Sequence, residues 1–72
     1  GVTVMEAERM VDEYIDECSL SGLKVVSVIH GKGTGALRAA VQQRLKRNKL
    51  VESYRLGTFG EGESGVTIVT LK

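Results

Sequence analysis

His30-Gly31-Lys32-Gly33-Thr34-Gly35 sets an imidazole, an ammonium group and three glycines within six residues, and Arg38 follows three positions on. Histidine exchanges a proton near neutral pH, which suits protonating a leaving oxygen or activating a water. Lys32 and Arg38 can neutralise a phosphate or the charge of a pentacovalent transition state. Gly31, Gly33 and Gly35 let an anion approach backbone N–H groups closely. Together these types fit the binding and cleavage of a phosphate ester, with His30, Lys32 and Arg38 as catalytic candidates and Gly31, Gly33, Thr34 and Gly35 as the phosphate-binding loop. The plainer alternatives are a histidine hydrogen-bonded into a turn for shape, solvated bases at 32 and 38, and Thr34 as the cap of a following helix.

The flanking elements must hold this loop. Thr3-Val4-Met5-Glu6 matches a capping box, and apolar residues recur at Val4, Ala7, Val11, Tyr14, Ile15 and Cys18. This predicts a helix from 4 to about 20, stopped at Gly22. Residues 24–29, Lys-Val-Val-Ser-Val-Ile, are apolar on both faces and predict a buried strand leading into the loop. Ala36, Leu37, Ala40, Val41 and Leu45 predict a second helix from 36 to 47, with Asn48 as its C-terminal cap. Residues 51–56 and 66–71 predict two strands paired as a hairpin. Glycines at 57, 60, 62 and 65 predict a mobile loop between them, whose Glu61 and Glu63 could close near His30. A strand, a glycine loop and a helix in this order form an anion-binding arrangement, because loop amides and the positive end of the helix converge.

The chain has 72 residues, enough for one domain over 1–72, which buries ~60% of the surface its unfolded form exposes. No apolar run is long enough to span a membrane, and one cysteine, Cys18, excludes an internal disulfide. Cys18 reads as a small core residue, and the lack of staples fits a reducing, cytoplasmic setting. The net charge of +1 hides an asymmetry: residues 1–22 carry six acids and one base, residues 23–55 eight bases and one acid. Arg44, Lys46, Arg47, Lys49 and Arg55 would form a phosphate-contacting track that positions nucleic acid without reading sequence. The acids of the first helix read as a solvated face and give no paired-metal geometry. With only Tyr14, Tyr54 and Phe59 aromatic, there is no stacking platform for single strands.

Known phosphate loops narrow the reading. The Walker A pattern is absent. Gly31, Gly33 and Ala36 meet the dinucleotide fingerprint literally, but no carboxylate ends the next strand and the chain is too short for two mononucleotide-binding halves. Residues 30–38, His-Gly-Lys-Gly-Thr-Gly-Ala-Leu-Arg, instead resemble the His-Gly-x-Gly motif of the Smr (small MutS-related) domains. Gly65-Val66-Thr67-Ile68-Val69 is similar to that family's closing Gly-Val-Thr strand. The sequence looks most like the Smr domain at the C-terminus of bacterial MutS-type paralogues of the second group.

The resemblance implies an α+β two-layer sandwich, β-α-β-α-β-β in full, like the C-terminal domain of translation initiation factor three. Strand 66–71 should lie between strands 24–29 and 51–56, antiparallel to both, with both helices on one face. Smr domains open with a strand ending in Leu-Asp-x-His/Arg-Gly; Gly1 matches its last glycine, so this sequence lacks that first strand and its aspartate. The implied activity is a DNA-nicking endonuclease module of a MutS-type protein in recombination or repair. Its partners would be duplex or branched DNA and an ATPase MutS-type core in the same parent chain, with no membrane. The alternative is a non-cleaving module that docks ribosomal RNA and helps split stalled ribosomes; a third reading is a scaffold binding a small phosphate ligand. No cofactor is expected in the domain, and nothing in the sequence supports a divalent metal.

Overall fold

The structure is a computed structural model that describes residues 3–31 and 35–72. Helix α1 (Val4–Leu20) starts where Thr3 caps it, its Oγ1 accepting the Glu6 N–H at 3.1 Å. It stops at Gly22, whose φ of +77° lets the chain turn back, so that the Leu23 N–H reaches the Cys18 carbonyl at 3.0 Å. Strand β1 (Val25–Ile29) follows, then α2 (Ala36–Arg47), β2 (Val51–Leu56), a 3-10 turn (Glu63–Gly65) and β3 (Val66–Leu71). Asn48 caps α2 at its C-terminal end, as the sequence predicts, and its Oδ1 accepts the Leu50 N–H at 2.9 Å.

The sheet order is β1-β3-β2, with β3 antiparallel to both neighbours. Val28 and Leu56 flank Thr67 on either side, and a bulge at Val51/Ser53 shifts the β2 register. One core forms on one face: Val11, Ile15 and Cys18 of α1 and Val41 and Leu45 of α2 meet Val26, Val28, Val51, Val69 and Leu71. Both helices therefore cover the same side, giving the expected two-layer α+β architecture.

Two expectations need correction. Strand β1 is not buried on both faces: Val26 and Val28 are buried, whereas Val25, Ser27 and Ile29 are exposed, because no layer covers the other side. Nor is the β2–β3 connection a featureless loop. Glu61 accepts from both Arg55 guanidinium ends, at 2.8 and 3.1 Å, and from the Thr58 amide and hydroxyl, at 2.9 and 2.7 Å. These four bonds hold the Glu61 carboxyl at a pKa of about 2, the Arg55 guanidinium being the largest cause.

Candidate functional site

The site assembles where β1 ends. The Gly65 carbonyl accepts two N–H groups, from His30 at 3.0 Å and Gly31 at 2.9 Å, and so ties the loop entrance to the start of β3. His30 continues the inward alternation of Val26 and Val28, which makes it 8% exposed. Both ring nitrogens have partners: Nδ1 lies 3.0 Å from the Gly31 carbonyl oxygen, and Nε2 lies 2.8 Å from Thr67 Oγ1. A carbonyl only accepts, so Nδ1 carries the proton, and in the neutral ring Nε2 accepts from the Thr67 hydroxyl.

Thr67 is fully buried on the central strand, and the sequence reading treated it only as part of a strand. The available signal was its place on the inward face with Val69 and Leu71, where a hydroxyl requires a partner.

Lys32, Gly33 and Thr34 lie outside the described residues. The N-cap position of α2 is Gly35, with φ +90°; the capping role expected of Thr34 lies outside the described residues. Arg38 folds back over this turn: a Cβ added at Gly35 would lie 3.2 Å from Arg38 Nη2. Gly35 and Arg38 thus stand at the N-terminal end of α2, where the helix dipole favours an anion, and His30 lines one cleft with Leu37 of that helix's first turn.

The five bases of the expected track divide into two groups. Arg44 turns to α1, where its Nε lies 3.1 and 2.9 Å from the two Asp12 carboxylate oxygens and Nη2 lies 2.6 Å from Oδ2. Arg55 is held by Glu61. Lys46, Arg47 and Lys49 are exposed, with no ion pair among the described residues. Lys46 and Arg47 line a polar concavity of about 610 Å³ with Gln42, Gln43 and Tyr54. This basic end is roughly 18 Å from the glycine loop along α2, from 1.5 Å per residue over its 12 residues.

An apolar cleft of about 400 Å³ opens beside β1, walled by Met10 and Tyr14 of α1, Val28 of β1 and Leu37 and Val41 of α2, with His30 at its end. Burial here pushes the Tyr14 phenol above its ordinary pKa, and a hydrogen bond to Cys18 adds to this. Among the described residues no three His, Cys, Asp or Glu side chains cluster as metal ligands, and no helix is long and apolar enough to cross a membrane.

The sequence profile of the Smr domain matches residues 1–72. The endonuclease MutS2 of Acetivibrio thermocellus is 57% identical over 72 residues, and that of Ruminiclostridium cellulolyticum 54%; each match covers 100% of this chain and 9% of the relative. The chain thus spans about a tenth of the length of these curated relatives. The crystal structure of the Smr domain of Thermus thermophilus MutS2 superimposes with a TM-score of 0.95 at 47% identity, covering 100% of this chain and 90% of that one. YdaL, a stand-alone small MutS-related protein from Escherichia coli, gives 0.90 at 30% identity, covering 97% and 58%.

Proposed function

The chain belongs to the Smr domain family, and from that premise we propose that it is the DNA-nicking module of a MutS-type protein acting in recombination or repair in the cytoplasm. The observation that carries this reading is a buried, doubly hydrogen-bonded His30 that shares a cleft with the first turn of α2, a helix with Arg38 near its start and a basic far end. A phosphodiester seated at the start of α2 would have the Arg38 guanidinium beside its non-bridging oxygens, and Lys32 is a second cation in the adjoining sequence. These stabilise the charge that builds as a water attacks phosphorus. The leaving oxygen then takes a proton from His30. Lys46, Arg47 and Lys49 hold the duplex further along α2, by phosphate contacts that are indifferent to sequence.

The site calls for one more element. Strand β1 carries β3 on one edge only, and its other edge runs beside the apolar cleft. A strand of the Leu-Asp-x-His/Arg-Gly type laid along that edge would fill the cleft with its apolar residues and bring its aspartate towards His30. That carboxylate would orient the water or the imidazole. The domain carrying such a strand is expected to bind duplex DNA and nick it, and the 72-residue chain serves as its comparison. The test is relaxation of supercoiled plasmid by both forms, with and without EDTA. Relaxed circles from the extended form support the proposal. Binding of duplex or ribosomes without relaxed circles supports the RNA-docking alternative instead.

A further inference from the structure

We infer that Thr67 is a positioning residue for His30: its hydroxyl grips Nε2 in every protonation state, so that Nδ1 is the nitrogen presented to the phosphate at the glycine loop. The inference rests on the nicking reading above and adds to it which nitrogen works and what orients it.

The argument starts from burial. Nε2 lies inside, 2.8 Å from Oγ1 of a fully buried threonine, whereas Nδ1 lies on the less buried side, 3.0 Å from the exposed Gly31. A base oriented by a third group is the recurrent arrangement at acid–base sites. The orienting group here is a hydroxyl, which both donates and accepts. In the neutral resting ring, Thr67 donates to Nε2 and Nδ1–H donates to the Gly31 carbonyl. In the imidazolium, Nε2–H donates to Thr67 Oγ1, and the ring does not have to leave its seat. With the ring made imidazolium by a proton taken from solvent at Nε2, a phosphodiester beside Gly31 displaces the Gly31 carbonyl from Nδ1–H. Water oxygen bonds to phosphorus and releases its proton to solvent. The bond from phosphorus to the leaving oxygen breaks with its electron pair on that oxygen, which takes the Nδ1 proton. The ring ends neutral, with Nε2–H still bonded to Thr67. A carboxylate at 67 could only accept, and a valine could do neither.

Thr67 cannot move away with the loop. It is paired on both sides, to Val28 and to Leu56, on the central strand. The Gly65 carbonyl two residues earlier holds the His30 and Gly31 amides. The imidazole is therefore referenced to the middle of the sheet, while its other nitrogen faces the glycine loop.

The test compares Thr67→Val, which keeps the shape and removes the hydroxyl, with Thr67→Ser, which keeps the hydroxyl. In ¹⁵N spectra of the 72-residue chain recorded with the imidazole in its neutral form, His30 Nε2 should be hydrogen-bonded in the parent and in Thr67→Ser. In Thr67→Val its resonance should move to the position of an unbonded imidazole nitrogen. In the domain extended by the preceding strand, Thr67→Val should lower the single-turnover nicking rate by about 10-fold or more, with plasmid affinity within about threefold and Thr67→Ser near the parent rate. Thr67→Ala replaces the valine variant if a thermal melt shows that the valine variant is unfolded. An Nε2 resonance unchanged by loss of the hydroxyl, or an unchanged nicking rate in a folded hydroxyl-free variant, overturns the inference. If the extended parent does not nick at all, the nuclease reading fails, and the Nε2 resonance still decides whether Thr67 orients His30.

Discussion

Gly62 shows how tightly single residues specify the ground beside the site. Its φ is +98°, and a Cβ placed there would overlap Val66 Cγ2, at the foot of β3. Gly62→Ala must therefore either shift β3 or abandon the turn that precedes Gly65, whose carbonyl holds the His30 and Gly31 amides. Strain of this kind costs about 1–3 kcal/mol. Thermal or urea unfolding of the variant should show a loss of this size, whereas Gly60→Ala, with open space around its Cβ, should lose less despite its own positive φ. His30 was legible from its neighbours because a histidine before a glycine run has few uses. Its Thr67 partner was not, since residues 30 and 67 meet only when β1 and β3 pair, and a threonine in a strand of valines looks like β-propensity.

At the scale of elements, the helices and strands were legible because each carries its own period and punctuation. Thr3, Gly22 and Asn48 mark ends that the structure reproduces. The one-sided burial of β1 was not legible, since Val-Val-Ser-Val-Ile has the same composition whether one face or both are covered. The pairing of Arg44 with Asp12 was also hidden, because it joins two helices 32 positions apart in sequence. This changes what the basic track should do. On the proposed function five bases are candidates for phosphate contact: Lys32 and Arg38 in the sequence around the start of α2, and Lys46, Arg47 and Lys49 at and beyond its far end. With all five engaged, log affinity should fall with log salt at a slope of about −4 to −5. Changing Lys46, Arg47 and Lys49 to alanine should reduce the slope by about 2–3, and Arg44→Ala by less than about 1. Filter binding or fluorescence anisotropy across a salt series measures both; an Arg44→Ala effect equal to that of Lys46→Ala would contradict the division.

The β2–β3 loop has its own pH signature. Glu61 is held at a pKa of about 2 in the folded chain, against 4.5 for an unperturbed carboxyl. A depressed pKa means that the unfolded chain binds the proton first, so this contribution to stability is fully present above about pH 5. It is lost as the pH falls through the interval from 4.5 towards 2. The stability difference between the parent and Glu61→Gln should therefore be constant at neutral pH and shrink across that window. Salt should also weaken it, since the Arg55–Glu61 pair is solvent-exposed. A difference that persists unchanged at pH 2 would show that the carboxylate charge does not brace the loop.

On the scale of the whole molecule, the proposed function takes a sheet with helices on one side and a helix α2 with a basic far end as the surface for a duplex. The central claim is that the loop end of this surface cuts what the basic end holds. The measurement that tests it most directly is relaxation of supercoiled plasmid by the domain extended with its preceding strand, run beside the same protein carrying His30→Ala. Loss of an acid–base group costs about 10²–10⁴ in rate. The parent is expected to accumulate relaxed circles, while the His30→Ala protein binds plasmid within about threefold and nicks it at least about 100-fold more slowly. Equal nicking by the two proteins, or plasmid left supercoiled by a parent that binds it, would contradict the account.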